Sequence, residues 1–326
     1  MSRVFLTGAT GMIGSNIAEQ LVERGDDVRA LVREGSDAAP LEAIGVDIVR
    51  GDITDADHVL RAADGCEYVI HSAAVLGGQT QIAGEHEAVN VVGTGHVLDA
   101  ATKVGATRVV QLSTTTFFDA QDAPLTEHSP LDPNPSADPY TVTKRAAYLD
   151  AMRRVDDGQD ICIVISGGAY GVSPLPERSM VSPSYNARIA LALAGEITEY
   201  VGFPIPWVYA GDVAKASVVA THKGLAGERY LAFGRPGDVG GVPWFCNAAL
   251  EVAGSDQRVA EVGVAELDDP DVAARFGPSL VALARKHFPS PFFVNDQTVE
   301  RLGYEPLTLH EGLARTIPWM RDHSLL

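Results

Sequence analysis

The chain alternates between short apolar runs and longer segments in which apolar residues return every three or four positions. The first run, Arg3-Val4-Phe5-Leu6-Thr7, predicts a buried strand. Ile13, Ile17 and Leu21 then recur at a helical interval until Gly25 stops the pattern. Further strands are predicted at 28–33, 46–50, 68–70, 108–112, 163–165 and 229–234, with helical stretches between them that include 85–104. Strand alternating with helix through the first half predicts an α/β fold, a doubly wound parallel sheet with helices on both faces. The second half is less regular. Residues 172–206 carry Pro174, Pro176, Pro183, Pro204 and Pro206 and predict loops around one helix near 187–194, while 235–326 predict short helices and loops ending in a helical pair.

The first strand runs into Gly8-Ala9-Thr10-Gly11-Met12-Ile13-Gly14 and straight on into the first helix. Strand, glycine turn and helix is the context of a dinucleotide site, because amides at the helix N-terminus face the pyrophosphate and missing side chains let it approach. The spacing is G-x-x-G-x-x-G, and a turn with glycines for packing alone is its plainer explanation. Arg33 ends the second strand, where an NAD-selective site places Asp or Glu for the ribose hydroxyls. A guanidinium suits a 2'-phosphate, so NADP(H) is favoured over NAD(H), which stays open; otherwise Arg33 is a surface charge. Asp52 and Ile53 follow the third strand and fit an adenine amino group and ring, with Thr54 or Asp55 as cap of the next helix. His71-Ser72-Ala73-Ala74 follows the fourth; its small residues leave room for ribose and nicotinamide, and His71 is read as a packed, hydrogen-bonded residue rather than a base. These motifs divide the chain into a Rossmann-type core of 1–171, rejoined by 207–234, and a smaller mixed substrate lobe of 172–206 and 235–326.

Tyr140 and Lys144 stand four residues apart on one face of a helix that Asp138 caps and Pro139 begins. A phenol beside an ammonium is a proton donor beside its activator, which suits alcohol and ketone chemistry. Of nine tyrosines only Tyr140 has a lysine at that offset. Ser113-Thr114-Thr115-Thr116 follows the fifth strand, on the edge where doubly wound sheets bind ligands, and offers hydroxyls to a carbonyl oxygen.

Composition narrows the partners. Forty-three acidic against 25 basic residues give a formal charge of -18, which argues against nucleic acid and anionic membranes. No apolar run approaches the ~20 residues of a membrane span, no signal-peptide core precedes the first strand, and the chain is expected to be cytoplasmic. Cys66, Cys162 and Cys246 read as buried thiols of a reducing compartment, and the nine histidines make no metal-ligand spacing with them.

In order, Thr7-Gly8-x-x-Gly11-x-x-Gly14, Gly51-Asp52, His71-x-Ala73-Ala74, Asn90-x-x-Gly93-Thr94, Ser113-Thr114 and Tyr140-x-x-x-Lys144 resemble the extended short-chain dehydrogenase/reductase family, firmly over 1–235 and loosely beyond. The type is closest to dihydroflavonol-reductase-like and hydroxysteroid-dehydrogenase-like members. The resemblance implies that Tyr140 is the general acid/base, that Lys144 holds the nicotinamide ribose and lowers the tyrosine pKa, and that Thr114, with Ser113 as runner-up, polarises the substrate oxygen. It also implies coenzyme contacts from Gly8, Thr10, Gly11, Met12, Ile13, Gly14, Asp52, Ile53, Ala73, Ala74, Ser113 and Gly168, support from Asn90, and a homodimer through two long helices. Phe117-Phe118-Asp119 replaces the family's more usual Val-Tyr-Gly, and Ser166-Gly167-Gly168 its Arg-Pro-Gly. Asp212 is expected to cap the helix that returns the chain to the sheet.

Three activities follow: an NADP-dependent reductase of a fairly apolar ketone or alcohol, a nucleotide-sugar epimerase or dehydratase, and a non-catalytic NADP-binding regulator. Thr115 and Thr116 stand where dehydratases carry acids, and residues 201–213 hold no Arg or Lys but offer Phe203, Trp207 and Tyr209 as an aromatic lining. Both favour a hydrophobic small-molecule substrate, with Arg178 and Arg188 left as diphosphate ligands for an epimerase. A regulator has no need of Thr114, Tyr140 and Lys144 together.

Overall fold

The computed structural model describes residues 1–119, 123–285 and 293–326. Its main sheet contains β1 (Arg3–Thr7), β2 (Asp27–Val32), β3 (Asp47–Arg50), β4 (Tyr68–His71), β5 (Arg108–Thr114), β6 (Ile161–Ser166) and β7 (Arg229–Ala232). The seven strands are parallel, in the order β3-β2-β1-β4-β5-β6-β7. Strand order reverses between β1 and β4, where Leu6 pairs with Ala30 on one side and Ile70 on the other. A crevice opens at such a switch point, beyond the carboxyl ends of the strands.

Successive side chains of a strand point to opposite faces, so each apolar run serves two cores. Val4, Leu6, Val110, Leu112 and Val164 pack on one side, and Phe5, Val109, Ile161, Ile163 and Ile165 on the other. Five helices cover the main sheet: α1 (Met12–Glu23), α2 (Ala56–Ala63), α3 (Thr94–Val104), α4 (Pro139–Asp156) and α5 (Ala210–Lys223). Ile17 and Leu21 of α1 and Val213 of α5 cover the first face. Val59 of α2, Val97 and Leu98 of α3 and Ala151 of α4 cover the second. Phe5 and Leu6 are wholly buried, and each contributes about 1.5–3 kcal/mol by leaving water.

Local signals place the helix ends. Asp138 accepts from the Thr141 amide at 2.9 Å as N-cap of α4, with Pro139 in its first turn. Of the two caps open for α2, Asp55 takes the position, accepting from the Asp57 and His58 amides. The helix expected at 85–104 is divided: Ala88–Gly93 is wound as a π-helix before α3 begins. Asp212 is a correction. The α5 helix has no side-chain cap, and the Asp212 carboxylate instead accepts from the Leu307 amide at 2.9 Å, tying the C-terminal segment to the sheet domain.

A third core lies in the second half, around Trp207 stacked on Phe245 at 4.0 Å with Ile189, Leu313, Ile317 and Met320. It joins the main sheet through Gly168–Tyr170, which pairs in parallel with Ile205–Tyr209. The approach is close enough that a Cβ on Gly167 would lie 2.1 Å from the Pro206 carbonyl oxygen. Helices Asp296–Leu302 and Leu309–Asp322 end the chain but belong to different cores, which corrects the expected terminal pair on the smaller lobe. Leu302 packs in the first core, with Thr298 bonded to Leu231 of β7, whereas Leu313, Ile317 and Met320 pack in the third. Among the described residues no helix is long and apolar enough to cross a membrane.

Candidate active site

A cavity of about 1040 Å³ runs along the carboxyl ends of the strands. That exceeds the usual span of about 300–1,000 Å³ for one small-molecule site. Gly8, Thr10, Gly11, Met12, Ile13, Gly14, Arg33, Asp52, Ile53, Ala73, Ala74, Ser113, Thr114, Tyr140, Lys144 and Gly168 all line it. The residues singled out from the sequence therefore share one space.

At the β1 end the backbone does the shaping. Gly8 has φ +76°, and a Cβ there would meet the Ala73 amide nitrogen at 2.6 Å. A Cβ on Gly14 would lie 2.0 Å from the Gly8 carbonyl oxygen, whereas one on Gly11 would sit at an ordinary 3.4 Å. Gly8 and Gly14 thus let the turn close on itself, while Gly11 faces the cavity. No side chain caps α1 at Gly11, so its first-turn amides stay available as donors to an anion. Further along the rim, burial pushes the Asp52 carboxyl up, but hydrogen bonds from the Thr54 amide and hydroxyl and the charge of Arg33 outweigh it and hold Asp52 below the usual carboxylate range.

A buried chain of hydrogen bonds links this end to α4. Thr7 Oγ1 lies 2.7 Å from His71 Nδ1, and His71 Nε2 lies 2.9 Å from Thr94 Oγ1. Thr94 spends its own proton on the Asn90 carbonyl at 2.7 Å, so it accepts from Nε2–H, and Nδ1 accepts from Thr7. His71 is accordingly neutral, and burial, then the charge of Lys144, push it down to about 3. Asn90 donates to the Val75 carbonyl and to Thr143 Oγ1, and accepts from the Val75 amide at 2.8 Å. Asn90 thereby braces the turn of α4 that carries Tyr140.

At the centre, burial pushes the Tyr140 phenol up to about 12, partly offset by a hydrogen bond with Thr114. Lys144 donates from Nζ to the Leu112 carbonyl at 2.9 Å, and burial pushes it down to about 8. The expected lowering of the tyrosine by Lys144 is absent: the ammonium is held by a backbone carbonyl, and desolvation dominates both groups. Near neutral pH the site therefore holds a phenol with its proton in place. Ser113 Oγ and Thr116 Oγ1 are buried without a hydrogen-bond partner. Such groups at the cavity wall are costly unless a ligand satisfies them.

The far end is walled by Val181, Pro183, Tyr185, Phe203, Ile205, Leu283 and Phe293, with Arg178 and Arg188. Two of the expected aromatic liners are elsewhere. Phe203 faces the cavity, but Trp207 and Tyr209 are buried in the third core, where Trp207 packs between Tyr185 and Phe245 and Tyr209 against Tyr170. Tyr185, Leu283 and Phe293 were not anticipated, since they come from segments that carry no spacing signal. Thr115 and Thr116 line the wall directly after Thr114, without an acid among them.

An uncapped glycine turn, a parallel sheet and a hydroxyl–phenol–ammonium group at the strand ends define an enzyme that uses a nicotinamide dinucleotide on CH–OH or C=O groups. The chain belongs to the NAD dependent epimerase/dehydratase family, whose model matches residues 4–232. It is 28% identical over 337 residues to sterol demethylase protein B of Methylococcus capsulatus, covering 98% of this chain and 99% of that protein. It is 30% identical over 241 residues to a putative dihydroflavonol 4-reductase of Synechocystis, covering 70% of this chain and 66% of that protein. Among solved structures it is similar to DesIV, a dTDP-glucose 4,6-dehydratase of Streptomyces venezuelae with NAD and TYD bound, at a TM-score of 0.78 and 26% identity over 98% of this chain and 97% of that one.

Proposed function

We propose that the protein is an NADP(H)-dependent reductase or dehydrogenase that interconverts a ketone or aldehyde and an alcohol on a fairly hydrophobic small molecule. The observation that carries this reading is the site's asymmetry: a protonated phenol and a hydroxyl at the centre, no acid after Thr114, and a largely apolar far wall. The names of two relatives, sterol demethylase protein B and a putative dihydroflavonol 4-reductase, are in keeping with an apolar substrate.

The coenzyme's place is supported by the free amides of α1, the open face of Gly11 and the unpaired Ser113 hydroxyl. On this reading Met12 and Ile13 receive the pyrophosphate, Asp52 and Ile53 the adenine, Arg33 a 2'-phosphate, Lys144 the nicotinamide ribose, and Ala73, Ala74 and Gly168 leave room for the rings. The bound nicotinamide supplies the hydride. Thr114 and Tyr140 hold the substrate oxygen, and Tyr140 gives it a proton, which its raised pKa keeps present at neutral pH. Residues 1–171 with 207–234 bind the coenzyme, and 172–206 with 235–326 carry the substrate side, apart from 293–304, which packs on the main sheet through Thr298, Leu302 and Tyr304. Half-exposed Val142 and Leu149 on α4 support a homodimer through that helix, which sedimentation would reveal as twice the 34.5 kDa chain mass.

The test is turnover. NADPH or NADH is mixed with the protein and a panel of aromatic and alicyclic ketones, then with nucleotide sugars. Oxidation of NADPH by apolar ketones is the expected result; conversion of nucleotide sugars alone would overturn it.

A further inference from the structure

Of the chain's 20 arginines, eight stand in ion pairs among the described residues and twelve do not, and of those twelve Arg33, Arg178 and Arg188 line the cavity. Arg178 and Arg188, which line the far end of the cavity, make no ion pair with any described residue. Val181, Phe203 and Ile205 line the same cavity with apolar surface. Arg188 is half-buried, with its guanidinium 4.6 Å over the Tyr200 ring. Arg178 is exposed and Arg188 partly so, and two cations without a counter-charge at a cavity wall fit a ligand that brings one.

The position of Arg188 narrows that ligand. It lies one turn after Tyr185 on the helix Tyr185–Leu193, so both project from one face. Tyr185 is fixed edge-on against Trp207 at 4.7 Å and lines the same space as Tyr140. An anion at Arg188 would thus belong to the same small molecule whose oxygen meets Tyr140. The strand Ile205–Tyr209 beside it adds no cation, which leaves two guanidiniums in an apolar wall. That is little for a nucleotide diphosphate and ample for one carboxylate, which a guanidinium binds through two parallel hydrogen bonds.

We propose that the substrate is an apolar oxo or hydroxy acid, its carboxylate held by Arg188 with Arg178 while its carbonyl or hydroxyl meets Thr114 and Tyr140. This rests on the reductase reading above.

The test uses the full chain with NADPH and matched aryl ketones: benzoylpropionate and benzoylbutyrate, their methyl esters, and butyrophenone. The expected result is that at least one acid exceeds its own ester by about 10- to 100-fold in kcat/KM, carried mainly by KM, as for a charge-assisted pair. Arg188→Met is expected to bring that acid-to-ester ratio down toward one, and Arg178→Met, at an exposed position safe for folding, to lower it part of the way. Esters matching or exceeding both acids, or a ratio intact in both variants, would overturn the carboxylate assignment and leave the reductase standing. Reduction of no ketone, charged or neutral, alongside conversion of a nucleotide sugar would overturn the reductase reading itself.

Discussion

The two ends of the cavity are made from different materials. Near β1 the surface is largely backbone: the turn from Gly8 to Gly14, the open amides of α1 and the strand ends at Asp52 and Ala73. Beyond Tyr140 it is side chains from segments far apart in sequence, Val181 and Tyr185, Phe203 and Ile205, Leu283 and Phe293. A backbone surface tolerates few residue types, because a single Cβ collides; a side-chain surface tolerates any set of similar volume and polarity. One end is suited to holding a constant partner, and the other to varying with the substrate.

The centre joins the two, and the largest effect is expected there. On the proposed reading, Tyr140→Phe removes the proton that the phenol beside Thr114 would give to the substrate oxygen. A fall in kcat of about 10²–10⁴ is expected, with the coenzyme dissociation constant, read by fluorescence titration, changed less than a few-fold. Full turnover in this variant would end the acid–base assignment.

Next comes a pair that separates folding from binding at the backbone end. Gly14→Ala forces a Cβ to 2.0 Å from the Gly8 carbonyl oxygen, whereas Gly11→Ala reaches only 3.4 Å. Overpacking of this kind costs about 1–3 kcal/mol or more. Denaturant melts should therefore show Gly14→Ala clearly destabilised and Gly11→Ala close to wild type, with both losing coenzyme affinity. Equal stability losses in the two would mean that Gly11 is a packing glycine as well.

The same contrast explains what could be read in advance. Strands β1 to β5, the glycine turn and the cap at Asp138 were legible because each follows from a local rule: alternating faces, positive φ, an N-cap oxygen. Thr114, Tyr140 and Lys144 were legible through their order and spacing, and the structure brings them together. Trp207 and Tyr209 were misread because an apolar strand does not declare which face meets solvent and which a core built from Phe245 and Met320. Asp212 looked like a cap because acids in first turns often are, yet its partner is Leu307, 95 residues away. The balance between Lys144 and Tyr140 was equally hidden, since burial is a property of the folded chain.

His71 offers a smaller effect that reports on the buried chain joining the two ends. Its folded pKa lies near 3 against an ordinary 6.5, so the unfolded chain binds the additional proton between those values. Stability is then fully present above about pH 6.5 and lost as pH falls toward the folded value. The loss amounts to about 2 kcal/mol by pH 5, on 1.36 kcal/mol per unit. In His71→Gln, which has nothing to titrate there, the fall in stability from pH 7 to pH 5 should be shallower by about that amount. Parallel wild-type and variant curves would mean that the imidazole is not held neutral.

Arg33 should give the smallest change, and it decides whether the backbone end holds one coenzyme or either. It stands just past β2 with its charge felt by Asp52, on the rim where an adenosine ribose would lie. If the guanidinium binds a 2'-phosphate, Arg33→Ala removes one charge-assisted contact made by NADPH and none made by NADH. The ratio of their kcat/KM values should then fall about 10-fold, mostly through the KM for NADPH, since such a contact at an exposed rim lies near the lower limit of about 1.5–3 kcal/mol for hydrogen bonds to charged groups. The fall should also shrink as salt rises, because an exposed charge pair is screened over about 8–10 Å near physiological ionic strength. An unchanged ratio would return Arg33 to the solvated surface and leave coenzyme choice to the groups that meet the ribose itself.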